Sequence, residues 1–132
     1  MVNKPFIKKG FISKTIFDWS DFEILKNNHP KAEIDLIQTD GTAIKYDKNP
    51  NANLNDYSII FCGCANVKEE FRTLHNFFKL LIPELSDVWD AHVYTGHNDN
   101  PISFNMHFDS RDNFLIQCHG KLDYMYQIIL IQ

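Results

Sequence analysis

Hydrophobic and polar positions change their period along this chain, and the changes mark out its elements. The first helical stretch begins at Ser20. Ser20 and Glu23 form an S-x-x-E pattern, in which a hydroxyl and an acid three residues apart satisfy backbone amides at a helix start. Asn27-Asn28-His29-Pro30 ends it, because proline cannot continue a helix. Residues 32–46 then alternate around Asp40-Gly41, with Ile34, Leu36 and either Ala43 or Ile44 on one side, which predicts a hairpin with a tight turn. The Asn-rich run Asp47 to Asp56 reads as an exposed turn region, and the apolar run Tyr57 to Phe61 as a strand.

Helical spacing returns after Asn66, an N-cap candidate with Glu69 three residues on. Val67, Phe71, Leu74, Phe78 and Leu81 share one face, read as core packing, and Pro83 stops the helix. His75 on this helix reads as a surface or satisfied core residue. From Trp89 on the pattern is that of strands: 90–95, then turn-rich 96–101, then 102–108, 113–118 and 122–131. Helices first and antiparallel strands after them predict an α+β or mainly β domain rather than an alternating parallel sheet.

Composition narrows the class. The chain has 132 residues, the size of a single domain with one core. It is 44% hydrophobic and 23% charged, ordinary for a globular protein, but its 11 Phe point to a core or pocket rich in rings. A net charge of -4 without a run of Lys or Arg argues against a primary nucleic-acid binder. Three Cys is an odd count, and Cys62 and Cys64 are too close to pair with each other. The two lack a partner pair for zinc, so they read as small residues at a buried strand end in a reducing cytoplasm. No apolar run reaches the length of a membrane span and the first residues lack a signal-peptide core, so a soluble, cytoplasmic protein without a membrane partner is expected.

The candidate chemistry sits at His107-Phe108-Asp109. Residues two apart on a strand point to the same face, so an imidazole and a carboxylate in H-x-D can reach one ion. Non-haem Fe(II) oxygenases hold their metal with two His and one carboxylate on one face and leave the other open for co-substrate and dioxygen. Alone, H-x-D is a common chance match and needs its context. Here a polar turn, Ser110-Arg111-Asp112, leads into Asn113-Phe114-Leu115-Ile116-Gln117 and then Gly120.

The run H-F-D-S-R-D-N-F-L-I-Q-C-H-G resembles the JmjC and cupin-like branch of Fe(II)/2-oxoglutarate oxygenases, which includes asparaginyl and ribosomal-protein hydroxylases. The match lies in the spacing of His107, Asp109, Asn113, Phe114, Gln117 and Gly120. Lys4-Pro5-Phe6 and the first helix look like the entry segment of the same family. The resemblance covers most of the chain, with only the H-x-D region distinctive. It implies a cupin fold, a double-stranded β-helix or jelly roll, with a helical and strand segment over 1–88 and barrel strands over 89–132. It implies Fe(II) on His107 and Asp109, and 2-oxoglutarate near Asn113, Lys121 or Tyr94, with Gln117 on the barrel wall. The reaction implied is 2-oxoglutarate decarboxylation coupled to hydroxylation of a protein or small-molecule substrate.

Two departures go with it. The family takes its second His from a later strand, and here no His follows His119; His92 and His97 lie in the preceding strand and turn. The family's Lys two residues after the glycine is Leu122 here, and Lys121 is one residue early, which on a strand reverses its face unless a bulge intervenes. Arg111 or Tyr94 could take its place. The chain therefore reads as a fragment, as a naturally short relative completed by another chain, or as a non-catalytic cupin-fold binding or assembly protein. The apolar segment Tyr124 to Ile131 would then be covered by a homo-oligomer, a partner chain or further residues.

Overall fold

Asp18, not Ser20, opens the first helix, α1 (Trp19–Asn28), in the computed structural model, which describes residues 9, 10, 12–85, 87–96, 105 and 113–120. The Asp18 carboxylate accepts from the Ser20 and Asp21 amides at 2.9 and 3.0 Å, and the Asp21 carboxylate accepts from the Asp18 amide at 2.9 Å. A charged acceptor outcompetes a hydroxyl for these amides, and the Ser20 hydroxyl becomes a donor to Asp18 at 2.6 Å. That bond, with the amides, holds the Asp18 carboxyl below its ordinary 3.8. The His29 amide closes the last turn on the Leu25 carbonyl, and Pro30 follows.

The expected hairpin is present as β1 (Ile34–Ile37) and β2 (Ala43–Lys45), paired antiparallel with Leu36 opposite Ile44. Its turn is Thr39-Asp40-Gly41, closed by a bond from the Gly41 amide to the Gln38 carbonyl at 2.9 Å. Gly41 has φ +81°, the left-handed position of a type I turn with a G1 bulge, which only glycine takes without strain. The Asn-rich segment folds into two single helical turns, Tyr46–Lys48 and Leu54–Asp56, and leads to β3 (Ser58–Phe61). The last described strand, β4 (Val93–Thr95), completes a four-stranded antiparallel sheet in the order β2-β1-β3-β4.

Register gives the sheet two faces. Ile34, Leu36, Ile59 and Phe61 point to one side, where they form a core with Ile16, Phe17, Phe22, Leu25 and Cys64. The Phe22 ring meets Phe61 edge-on at 5.8 Å, so α1 lies against this side. Lys45, Asp35, Ile60 and Tyr94 are successive neighbours on the other side.

The second helix, α2 (Glu69–Leu81), starts from Lys68 rather than Asn66, whose side-chain oxygen instead accepts from Arg72 at 2.8 Å. The predicted core stripe holds only in part. Phe71 and Leu74 pack against the core, Val67 is exposed, Leu81 is 60% exposed, and no residue of α2 is fully buried. α1 puts the buried Phe22 and Leu25 into the core, whereas α2 reaches it only through the partly buried Phe71 and Leu74. Lys68 ties the two helices together through an ion pair with Asp21 at 2.6 Å, with both side chains largely buried. His75 stacks on Trp89 at 4.5 Å, and Lys79 pairs with Asp87, so the chain returning from α2 is clipped to it at two places.

The class is thus α+β, with two helices and an antiparallel sheet. Of the strands expected beyond residue 89, β4 is present. Residues 113–118 are in no strand, a correction to that expectation. Their apolar run rests instead on the helices, with Phe114 stacked on Phe78 at 4.1 Å and His119 on Trp19 at 5.7 Å. Residues 102–108, apart from Asn105, and 122–131 lie outside the described residues. Among the described residues no helix is long and apolar enough to cross a membrane.

The polar ties of this fold carry a pH signature. Hydrogen bonds from Ser20 and Thr42 hold the carboxyls of Asp18 and Asp40 below 3.8, so their contribution is present above that pH and is lost as pH falls through the lowered values. Asp35 and Asp21 raise Lys45 and Lys68 above 10.5, so those contributions are present below that pH and fade as it rises through the raised values. The thermal midpoint should therefore fall off on both flanks. Replacing Asp18 and Asp40 by Asn should weaken the acid limb alone; an unaltered acid limb in the double variant would remove these two carboxylates from the account.

Candidate functional site

The candidate iron ligands His107 and Asp109, with Lys121 and His97, lie outside the described residues. Two other candidates, Tyr94 and Asn113, are among the described residues. Tyr94, at the middle of β4 opposite Ile60, is 58% exposed on the sheet face turned away from the core. Asn113 is exposed at the start of the segment that rests on the helices, next to the Phe114 ring stacked on α2. These two candidate co-substrate residues therefore sit in different settings, one on the outer sheet face and one beside a helix. Gln117, expected on a barrel wall, donates its side-chain amide to the His119 carbonyl in a local turn.

Asn105, two residues before His107, is anchored to the β1–β2 turn, its side-chain amide donating to the Asp40 carbonyl at 2.8 Å. His92 is engaged by Asp90, whose carboxylate lies 3.1 Å from the ring nitrogen and accepts from the Gly63 amide at 3.1 Å. Asp90 thus joins the segment before β4 to the Cys62-Gly63-Cys64 bend that follows β3.

That bend gathers polar residues the sequence did not single out. The Cys62 thiol donates to Asp35 at 3.5 Å, and Asp35 pairs with Lys45 at 2.7 Å. The Cys62 carbonyl accepts from the His29 ring at 2.6 Å, and the same ring nitrogen lies 3.5 Å from Glu33. Burial first, then the Asp35 charge, pushes the Cys62 thiol up to about 11; burial, with Asp90, pushes Cys64 up to about 12. Burial thus disfavours the thiolate form of both in the metal-free chain. The reading of this pair as a strand end agrees with the structure for Cys64, which is fully buried. Cys62 is half-buried and hydrogen-bonded. The signal for the Asp35–Lys45 pair was a charge interrupting an apolar strand, but its partner becomes visible only from strand register.

Among the described residues no group of three or more His, Cys, Asp or Glu side chains is placed to hold a metal ion. Comparison with family models, with characterised proteins and with solved structures returns no match.

Proposed function

We propose that this chain is an Fe(II)/2-oxoglutarate-dependent oxygenase, a hydroxylase of the JmjC/cupin-like type, whose antiparallel sheet belongs to a double-stranded β-helix. The observation that carries this reading is the spacing of His107, Asp109, Asn113, Phe114, Gln117 and Gly120. An imidazole and a carboxylate two residues apart are the donor types that non-haem Fe(II) takes, so these residues fit the ion. Bound iron and 2-oxoglutarate would supply oxygen activation for hydroxylation of a protein or small-molecule substrate. His107 and Asp109 would hold the metal. Asn113, Lys121 and Tyr94 would hold the co-substrate, with Lys121 supplying a cation for its far carboxylate and Tyr94 a hydroxyl donor. The setting proposed is the cytoplasm, where a reducing pool keeps Cys62, Cys64 and Cys118 as the free thiols seen here.

Anaerobic titration of the chain with Fe(II) and 2-oxoglutarate tests this. A weak visible charge-transfer band from the chelated co-substrate is expected, and His107→Ala should abolish it. A chain that gives no band would instead be a cupin-fold binding or assembly protein.

A further inference from the structure

Helix α2 is apolar around more of its circumference than the fold covers. Successive residues step by about 100° around a helix, so its side chains divide into arcs. One arc carries Phe71 and Leu74, which pack against the core. A second carries His75 and Lys79, which meet Trp89 and Asp87 of the returning chain. The remaining arc runs through Glu69, Thr73, Phe77, Leu80 and Leu81, all exposed. Leu80 keeps 81% of its exposure and Phe77 40%. A single exposed apolar side chain is ordinary, but Phe77, Leu80 and Leu81 together on one face form a patch of the kind that marks an interaction surface.

The charges around this patch select what covers it. Glu69 opens the same arc, and Glu84 lies in the turn just past the helix. Among the described residues neither enters an ion pair, whereas the nearby cations are engaged within the molecule: Lys68 with Asp21, Arg72 with Asn66 and Lys79 with Asp87. The face is thus an apolar patch with an acid at each end. A second copy suits it poorly. Antiparallel pairing of two such faces brings Glu69 toward Glu84, and parallel pairing brings Glu69 toward Glu69, so acid meets acid either way. An anionic membrane surface would repel the same acids. We propose that this face of α2 docks a basic amphipathic helix of a partner protein. Leu80 and Leu81 receive its apolar side chains, and Glu69 and Glu84 pair with its Lys or Arg. From Glu69 to Leu81 the stripe is about 18 Å long, room for a partner helix of about three turns. The docking face involves none of the candidate iron or co-substrate residues.

The test is a fluorescence-anisotropy titration of the full chain against a labelled peptide of about 14 residues, with Leu on one helical face and Lys on the other. A peptide with Glu in place of every Lys is the control. The Lys peptide should bind and the Glu peptide should not. The double variant Leu80→Gln, Leu81→Gln should weaken binding by about tenfold or more. Both positions are exposed, so its thermal midpoint should stay close to that of the parent chain. Glu69→Gln with Glu84→Gln should weaken binding about threefold and flatten its dependence on salt. Leu80→Lys alone, at the most exposed of these positions, serves as a second probe and should repel the Lys peptide. A parent chain that binds no Lys peptide overturns the proposal. Equal binding by the Leu80→Gln, Leu81→Gln variant overturns it as well, since the peptide would then adsorb on acidic surface elsewhere. Equal binding of the Glu peptide overturns the choice of a basic partner. A dimer in sedimentation velocity that Leu80→Gln, Leu81→Gln dissociates would assign the face to a second copy and overturn the proposal too.

Discussion

Phe61→Ala is expected to cost the protein a large share of its stability. Phe61 is fully buried at the end of β3, between Ile34 on β1 and Val93 on β4. Its ring meets Phe22 of α1 at 5.8 Å and the His29 ring at 5.6 Å, both edge-on. One side chain thus joins three strands, the first helix and that helix's C-cap. Truncating a buried Phe costs about 3–5 kcal/mol, from lost transfer energy plus the cavity left behind. A domain of this size has about 5–15 kcal/mol in all, so the variant should lose a large share of its stability and unfold at much lower urea. Urea titration followed by circular dichroism would show this. Phe61→Leu, which keeps most of the volume, should retain a cooperative transition at lower urea. A wild-type midpoint for Phe61→Ala would mean that the core is not centred here.

Asp21 is expected to be the most costly polar position. Its carboxylate closes the cap of α1 by accepting from the Asp18 amide, and it pairs with Lys68 at the start of α2. The side chains retain 18% and 22% of their exposure, so the pair is sheltered but not sealed from water. Loss of the capping contact should cost about 1 kcal/mol. Loss of the pair should cost about as much again, at the upper end for exposed ion pairs. Asp21→Ala should therefore lose about 2 kcal/mol. A double-mutant cycle with Lys68→Met isolates the second part and should return a coupling of about 1 kcal/mol. A coupling of zero would show that the two helices are joined by apolar contact alone.

Local signals in the sequence were legible where one residue type decides the outcome. Asp40-Gly41 marked the hairpin because the turn requires a positive φ, and Tyr57 to Phe61 marked a strand, observed over Ser58–Phe61, because its apolar run is bounded by polar loops. The helix starts were displaced by two residues, to Asp18 from Ser20 and to Lys68 from Asn66. In the first, several capping residues stand side by side and the strongest acceptor prevails, a comparison of energies rather than of patterns. The stripe Val67 to Leu81 correctly marked a helix but overstated its burial. Periodicity reports which face is apolar, and not how much sheet is left to cover it. Residues 113–118 have strand composition but pair with no strand among the described residues, since β propensity becomes structure only where an edge is there to pair with.

The candidate site divides in the same way. H-x-D is a short-range motif and could be read from the sequence. The Asp35–Lys45–Cys62 contact depends on the register of β1 with both neighbours, and the Asn105–Asp40 contact on closure across the chain. Nothing in the local pattern of either announces it.

The shallow seating of α2 makes opening costs uneven across the molecule. The sheet and α1 share the fully buried side chains, so they come apart only with the core. α2 has no side chain wholly out of water and is held at its start by Lys68 and along its length by Phe71, Leu74 and the clips to Trp89 and Asp87. Its opening should therefore cost less than that of the hairpin, β3 and α1. Because Phe114 stacks on Phe78, such a local opening would also release Phe114. Amide hydrogen exchange should therefore be faster along α2 than in β1, β3 and α1.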